Sequence, residues 1–103
     1  MTSKFVGGQT YLNYMNGEWQ SAGTGQTVPS INPAKKSEVV GYVQSSSLED
    51  LNRAVASAKS AQQGWRKLSG AARGDYLFKA ANLLESRIDE IAESMTREMG
   101  KTL

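Results

Sequence analysis

Neither cysteine nor histidine occurs among the 103 residues. Their absence removes the Cys–His pair, the Ser–His–Asp triad, and every thiolate or imidazole metal ligand. No disulfide can brace the fold, which fits a reducing, cytoplasmic setting. Long hydrophobic runs are missing too, so no segment has the length of a membrane span. The opening MTSKFVGGQT lacks the apolar core of a secretory leader. A block of one charge sign is also lacking. Residues 1–46 carry three Lys/Arg and two Asp/Glu, and residues 47–103 carry nine and eight. The signs alternate along the second half, which reads as a solvated helix face and not as a nucleic-acid footprint.

What is present suits one small domain. Hydrophobic residues make up 39% and glycine numbers 10, so the chain is neither disordered nor uniformly apolar. The dominant stretch runs from Ser69 to Leu103. There Leu77, Ala81, Leu84, Ile88, Ile91, Met95 and Met99 recur at steps of three and four, the spacing of one helical stripe. Ser69 is placed to cap the start, Gly100 followed by Lys101 to stop it, and Ser86-Arg87 to break it into pieces near 70–86 and 88–99. A stripe this long needs a partner, because propensity alone does not hold a helix. The rest of the chain offers too little apolar surface to cover it.

The first half reads as strands and turns. Residues 1–10 are polar, carry Gly7 and Gly8, and read as a mobile tail. Tyr11 to Met15 and Glu18 to Gln20 flank Asn16-Gly17, which predicts a tight hairpin over 11–21. Thr27 to Ile31 contains Pro29 and predicts an edge or irregular strand. Asn32 to Ser37 is a turn, and Glu38 to Gln44 is the best strand in the chain. Ser47 and Asp50 have the spacing of a capping box for a helix from Leu48 to about Gly64. Its stripe of Leu51, Ala54, Val55, Ala58 and Ala61 suits close approach to another element, and Trp65 beyond it calls for burial. The expected divisions are a tail at 1–10, a hairpin and short strands at 11–44, and a helical region at 45–103. The fold class is an α+β fragment, with a β-hairpin and short strands followed by two or three amphipathic helices.

Sites for chemistry are few. Asp89, Glu90 and Glu93 lie close on a helix but on its polar side, as surface acids do. Gly23-Thr24-Gly25 lacks a third glycine and a strand-to-helix setting, so it is not a phosphate loop. Lys35-Lys36 reads as a solvated turn. Arg73 between Gly70 and Gly74 lies at a helix start but has no convergent basic partner for an anion. No catalytic and no cofactor-binding residue is assigned.

The order of pieces says more. Tyr11 to Trp19 (YLNYMNGEW) is followed by Ile31-Asn32-Pro33-Ala34, then Glu38 to Val43 (EVVGYV), then a capped Ala-rich helix ending near Trp65. Ala72-Arg73-Gly74 then leads to Leu83-Leu84-Glu85, and Glu98-Met99-Gly100-Lys101 closes the series. From about Tyr11 to Leu103 the chain resembles the amino-terminal part of the aldehyde dehydrogenase superfamily. Within it, the chain most resembles bacterial semialdehyde dehydrogenases, such as those acting on α-ketoglutarate semialdehyde. The resemblance implies that the chain is part of an α/β aldehyde dehydrogenase fold. It implies an NAD or NADP enzyme oxidising an aldehyde to a carboxylate. The family's nucleophilic Cys, Glu base, oxyanion-hole Asn and cofactor-holding strands lie downstream of the matching region, so this chain alone is expected neither to catalyse nor to bind cofactor. In the family this region packs on the cofactor-binding domain. Some members hold a monovalent cation at positions matching the Ile31 carbonyl and the Glu98 side chain, although many have Asp where Glu98 stands.

Two functions follow as expectations. The first is an amino-terminal aldehyde dehydrogenase fragment, with the remainder of the enzyme as partner and self-association through exposed helical faces. The alternative is a free-standing helical protein-interaction module that binds a partner helix or groove.

Overall fold

The computed structural model describes residues 4–103. Five strands precede three helices: β1 (Gln9–Thr10), β2 (Asn13–Met15), β3 (Glu18–Gln20), β4 (Thr27–Ile31), β5 (Val39–Gln44), α1 (Leu48–Lys67), α2 (Gly70–Ser86) and α3 (Ile88–Met99). β2 and β3 form the expected hairpin, with Tyr14 opposite Trp19. Asn16 and Gly17 both have positive φ, 53° and 75°, as a type I′ turn requires. The Tyr14 and Trp19 rings pack against each other at 4.8 Å between centroids.

The second sheet has the order β1-β5-β4. β4 runs antiparallel to β5 at one edge, where Pro29 needs no partner on its outer side. β1 runs parallel to β5 at the other, pairing Gln9 with Gly41 and Thr10 with Tyr42. Here the structure corrects the expected tail over 1–10. The Gly8 amide donates to the Val40 carbonyl at 3.0 Å and the Tyr11 amide to the Tyr42 carbonyl at 2.7 Å. The free edge of β5 captures two polar residues that carry no strand pattern of their own. Residues 1–3 of the expected tail lie outside the described residues.

α1 begins at a complete capping box. The Ser47 hydroxyl accepts from the Asp50 amide at 3.2 Å, and the Asp50 carboxylate accepts from the Ser47 amide at 3.0 Å. Asp50 also accepts from the Gly23 amide at 3.1 Å and pairs with the Arg53 guanidinium. Its residue is only 2% exposed. The carboxyl is held down to about 2, first by the Ser47 backbone amide, against the cost of burial and with Gly23 and Arg53 adding to it. One side chain thereby ties the loop at 21–26 to the start of the helix. The helix outlasts the expected end near Gly64 and runs to Lys67, because a single glycine weakens a helix by only about 1 kcal/mol.

α2 starts at Ser69, whose hydroxyl accepts from the Ala72 amide at 3.1 Å, and breaks at Arg87 as the sequence predicts. α3 stops at Gly100, where φ is 73°. A Cβ there would lie 2.9 Å from Pro33 Cγ, so the end of α3 closes directly on the Asn32-Pro33 turn. Arg97 secures this closure by bridging Glu38 and Glu93, the latter at 2.7 Å. The buried Asn32 donates its amide to Glu38 at 3.1 Å and accepts from the Ala34 amide at 2.9 Å. Arg97 and then Asn32 hold the Glu38 carboxyl below its ordinary value.

The apolar core is small. Among the described residues only Ala22 and Val40 are buried hydrophobics. The chain exposes 8108 Å², against about 5,700 Å² for a compact monomer of its mass. Its radius of gyration is 16.9 Å, against about 13 Å for a globular domain of this length. None of the helices among the described residues is long and apolar enough to cross a membrane.

Ser47→Ala removes half of the capping box and is expected to lower the stability of the chain by about 1 kcal/mol in urea unfolding followed by circular dichroism. Because the folded Asp50 has a depressed pKa, its stabilisation is complete above about pH 4 and is lost as the pH falls through about 2. Asp50→Asn is therefore expected to unfold more easily at neutral pH and to lose less of its remaining stability between about pH 4 and pH 2. Equal acid sensitivity in both proteins would rule out this role.

Candidate functional site

The helices present large apolar side chains that stay exposed. On α1, Val55, Ala58, Ala61, Trp65 and Leu68 line a shallow groove of about 880 Å³, with Lys59 and Gln62 at its rim. Trp65, which the sequence marks for burial, is still 41% exposed and packs at a tilt against the Tyr76 ring, 5.5 Å between centroids.

α2 is apolar over about half its circumference, with Tyr76, Leu83, Leu84 and Leu77 spread around that arc and Phe78 nearly opposite Tyr76. A helix apolar on more than one side belongs between two layers. Leu77 and Phe78 are 70% and 72% exposed. Among the described residues neither side is fully covered.

α3 is the most sharply amphipathic of the three, and its polar side is the one turned inward. Arg97 reaches Glu38 of the β-layer, and Ser94 and Glu98 face Val40, Gly41 and Val43 across a small cavity. Ile88, Met95 and Met99 of the stripe are exposed, and only Ile91 is partly covered. The predicted stripe from Leu77 to Met99 thus exists, but it is interrupted at Arg87 and looks away from the protein's own strands.

Glu98 and Ile31 come into the same neighbourhood. Glu98 lines a cavity of about 220 Å³ with Ser30, Ser94, Tyr11 and Phe5, while Ile31 is the next residue along β4, just past a shift in register with β5. Ile31 is not among the residues lining that cavity. One carboxylate and one neighbouring carbonyl fall short of the roughly six oxygens a hard cation gathers. No cluster of three or more metal-ligating side chains exists among the described residues. These residues alone do not fit a complete cation site.

The other candidates resolve into structure. Gly23 gives its amide to Asp50, and Thr24 donates its hydroxyl to the Ser45 carbonyl at 2.6 Å, so the glycine loop is tied down by its own chain. Glu90 pairs with Arg87 at 2.7 Å and Glu93 with Arg97, which makes them surface ion-pair partners. Sequence reasoning missed the Glu38–Arg97 bridge, since nothing local links residues 59 positions apart.

Comparison with known proteins matches residues 19–103 to the model of the aldehyde dehydrogenase family. The alpha-ketoglutaric semialdehyde dehydrogenase of Bacillus subtilis (strain 168) is 54% identical over 94 residues, which are 91% of this chain and 19% of that protein. An alpha-ketoglutarate semialdehyde dehydrogenase of Haloferax volcanii is 45% identical over 89 residues, 86% of this chain and 18% of that protein. The crystal structure of an NAD-dependent aldehyde dehydrogenase from Sinorhizobium meliloti superposes with a TM-score of 0.87 at 32% identity, over 94% of this chain and 20% of that one. The chain therefore spans about one fifth of the length of the relatives it matches.

Exposed apolar residues contribute little to the stability of the chain that exposes them. Leu77→Ala and Phe78→Ala are each expected to change the unfolding free energy by less than about 0.5 kcal/mol. Val40→Ala, in the small core, is expected to cost about 1.5–2 kcal/mol. Urea titrations of the three variants check this; a large loss at Leu77 or Phe78 would mean that their side chains are covered in solution.

Proposed function

Because the chain belongs to the aldehyde dehydrogenase family, we propose that it is the amino-terminal segment of an NAD(P)+-dependent enzyme that oxidises an aldehyde to a carboxylate. The observation that carries this reading is a match over residues 19–103 in a chain one fifth the length of its relatives. The surplus of exposed surface, about 2,400 Å² over a compact monomer, supports it. That surplus is the amount one side of a large obligate interface buries.

The role of these residues is architectural. α1, α2 and the outward stripe of α3 form a layer that packs against the cofactor-binding body, where the family's Cys, Glu base, oxyanion-hole Asn and NAD(P)-holding strands reside. A nicotinamide cofactor held in that body would supply the hydride acceptor. This chain has no Cys, so no thiohemiacetal forms on it and it is inactive by itself. The substrate class is a semialdehyde of the α-ketoglutarate type, supported by the identity to the Bacillus subtilis relative. The Ile31 carbonyl and the Glu98 carboxylate are this chain's share of a monovalent-cation site that the body completes. The parent enzyme is a cytoplasmic homo-oligomer, and the isolated chain hides its helical faces by self-association.

A chimera tests the reading. The matching segment of the Bacillus subtilis relative is replaced by this chain, and reduction of NAD+ or NADP+ is followed with α-ketoglutarate semialdehyde. Turnover by the chimera, none by the 103-residue chain, and loss of turnover in the chimera carrying Leu77→Asp are expected. A folded chimera without activity, or an active isolated chain, would overturn it.

A further inference from the structure

The turn of the β2–β3 hairpin stands apart from the helical layer. Asn16 and Gly17 are exposed, and a Cβ built on Gly17 meets nothing within 4 Å. β2 and β3 form a two-stranded sheet of their own. Among the described residues no hydrogen bond restrains the Asn16 carboxamide.

Backbone geometry decides what that carboxamide can do. An asparagine side chain closes a five-membered ring on the next amide nitrogen only when that nitrogen eclipses Cβ. For an L residue this requires ψ near about −120°, the value at the first central residue of a type II′ turn, where φ is about +60°. Asn16 already holds φ at 53°. Types I′ and II′ share that φ and differ by a flip of the peptide between the two central residues, and both fit a two-residue hairpin. Gly17, at φ 75° in the present turn, accepts either sign of φ. The ring-closing geometry is therefore one peptide flip away, with the strands still paired.

We propose that Asn16 is a site of spontaneous deamidation in the folded protein. The Gly17 nitrogen attacks Asn16 Cγ and gives up its proton, the Cγ–Nδ2 bond breaks, and ammonia leaves. Water then opens the succinimide. Cleavage at Cγ gives aspartate, and cleavage at the backbone carbonyl gives isoaspartate, which places one more carbon in the main chain. No oxidation or reduction is involved. Both products add a carboxylate close to Glu18, and isoaspartate lengthens the loop that sets Tyr14 opposite Trp19. The other four asparagines lack this arrangement. Asn32 precedes Pro33, which has no amide hydrogen. Asn52 and Asn82 lie inside α1 and α2, where ψ is about −42°. Asn13 sits within β2 and donates to the Ser46 hydroxyl at 2.7 Å.

The test uses the full-length chimera with this chain in place of the matching Bacillus subtilis segment, kept for weeks at mildly alkaline pH and mapped by peptide mass spectrometry. The peptide holding Asn16 is expected to give two products of the aspartate mass, at no less than about one tenth of its rate in guanidinium chloride. The other asparagines are expected to stay intact in the folded protein. Gly17→Ala crowds the attacking nitrogen and is expected to slow the reaction about tenfold. Asn16→Gln requires a larger ring and is expected to abolish it, which keeps the test intact where Gly17→Ala does not fold. Modification confined to the unfolded protein, equal modification of all the asparagines, or an unchanged Asn16 would overturn the proposal. A folded chimera without turnover serves equally, because the readout is mass, so the enzymatic reading and this one fail separately.

Discussion

The bridge from Arg97 to Glu38 sets the orientation on which the rest of the molecule depends. It brings the polar side of an amphipathic helix against the strands, which reverses the usual arrangement in which the apolar side of a helix meets a sheet. The Asn32 amide steadies Glu38, Glu93 shares the guanidinium, and Gly100 lets the helix end close on Pro33. With α3 fixed this way, Ile88, Met95 and Met99 have nowhere to go but outward. The hydrophobic surface of the chain is thus organised for contact and not for its own core.

Polar and apolar groups are treated differently as a result. Among the described residues no buried side-chain nitrogen or oxygen lacks a hydrogen-bond partner. Asp50 alone satisfies the amides of Ser47 and Gly23, and Gln44 receives the Ala22 amide at 2.8 Å. The connections between strands, loop and helices are made by directed polar contacts, which do not require a thick core. The apolar surface, by contrast, is largely unspent. Burial of hydrophobic side chains adds little among the described residues, since Val40 contributes only about 1.5–3 kcal/mol and the single methyl of Ala22 about 0.8 kcal/mol. The chain is held together by hydrogen bonds and ion pairs, with its hydrophobic faces open. The superposition on a solved aldehyde dehydrogenase covers nearly all of this chain and a fifth of the other.

The legible parts of the fold were those decided within a few residues. Asn16-Gly17 forced the hairpin because both positions need positive φ, and Ser47, Ser69 and Gly100 marked helix ends because each meets backbone groups a helix cannot satisfy itself. β1 was not legible. Gln9 and Thr10 have no alternating pattern, and only the unfilled edge of β5 makes them a strand. Of the candidate cation pair, the sequence could name Ile31 and Glu98 but not the cavity of Ser30, Ser94 and Tyr11 into which Glu98 falls.

The amino-acid order by itself determined the family, the missing nucleophile, the turns and caps, and the existence of apolar stripes, because all of these are properties of residue type and local spacing. Tertiary structure decided which way the stripes point. A helical period says that one side of α3 is apolar, but it is silent on which side the strands will take. That choice was made by a guanidinium and a carboxylate 59 residues apart, brought together only in the folded chain.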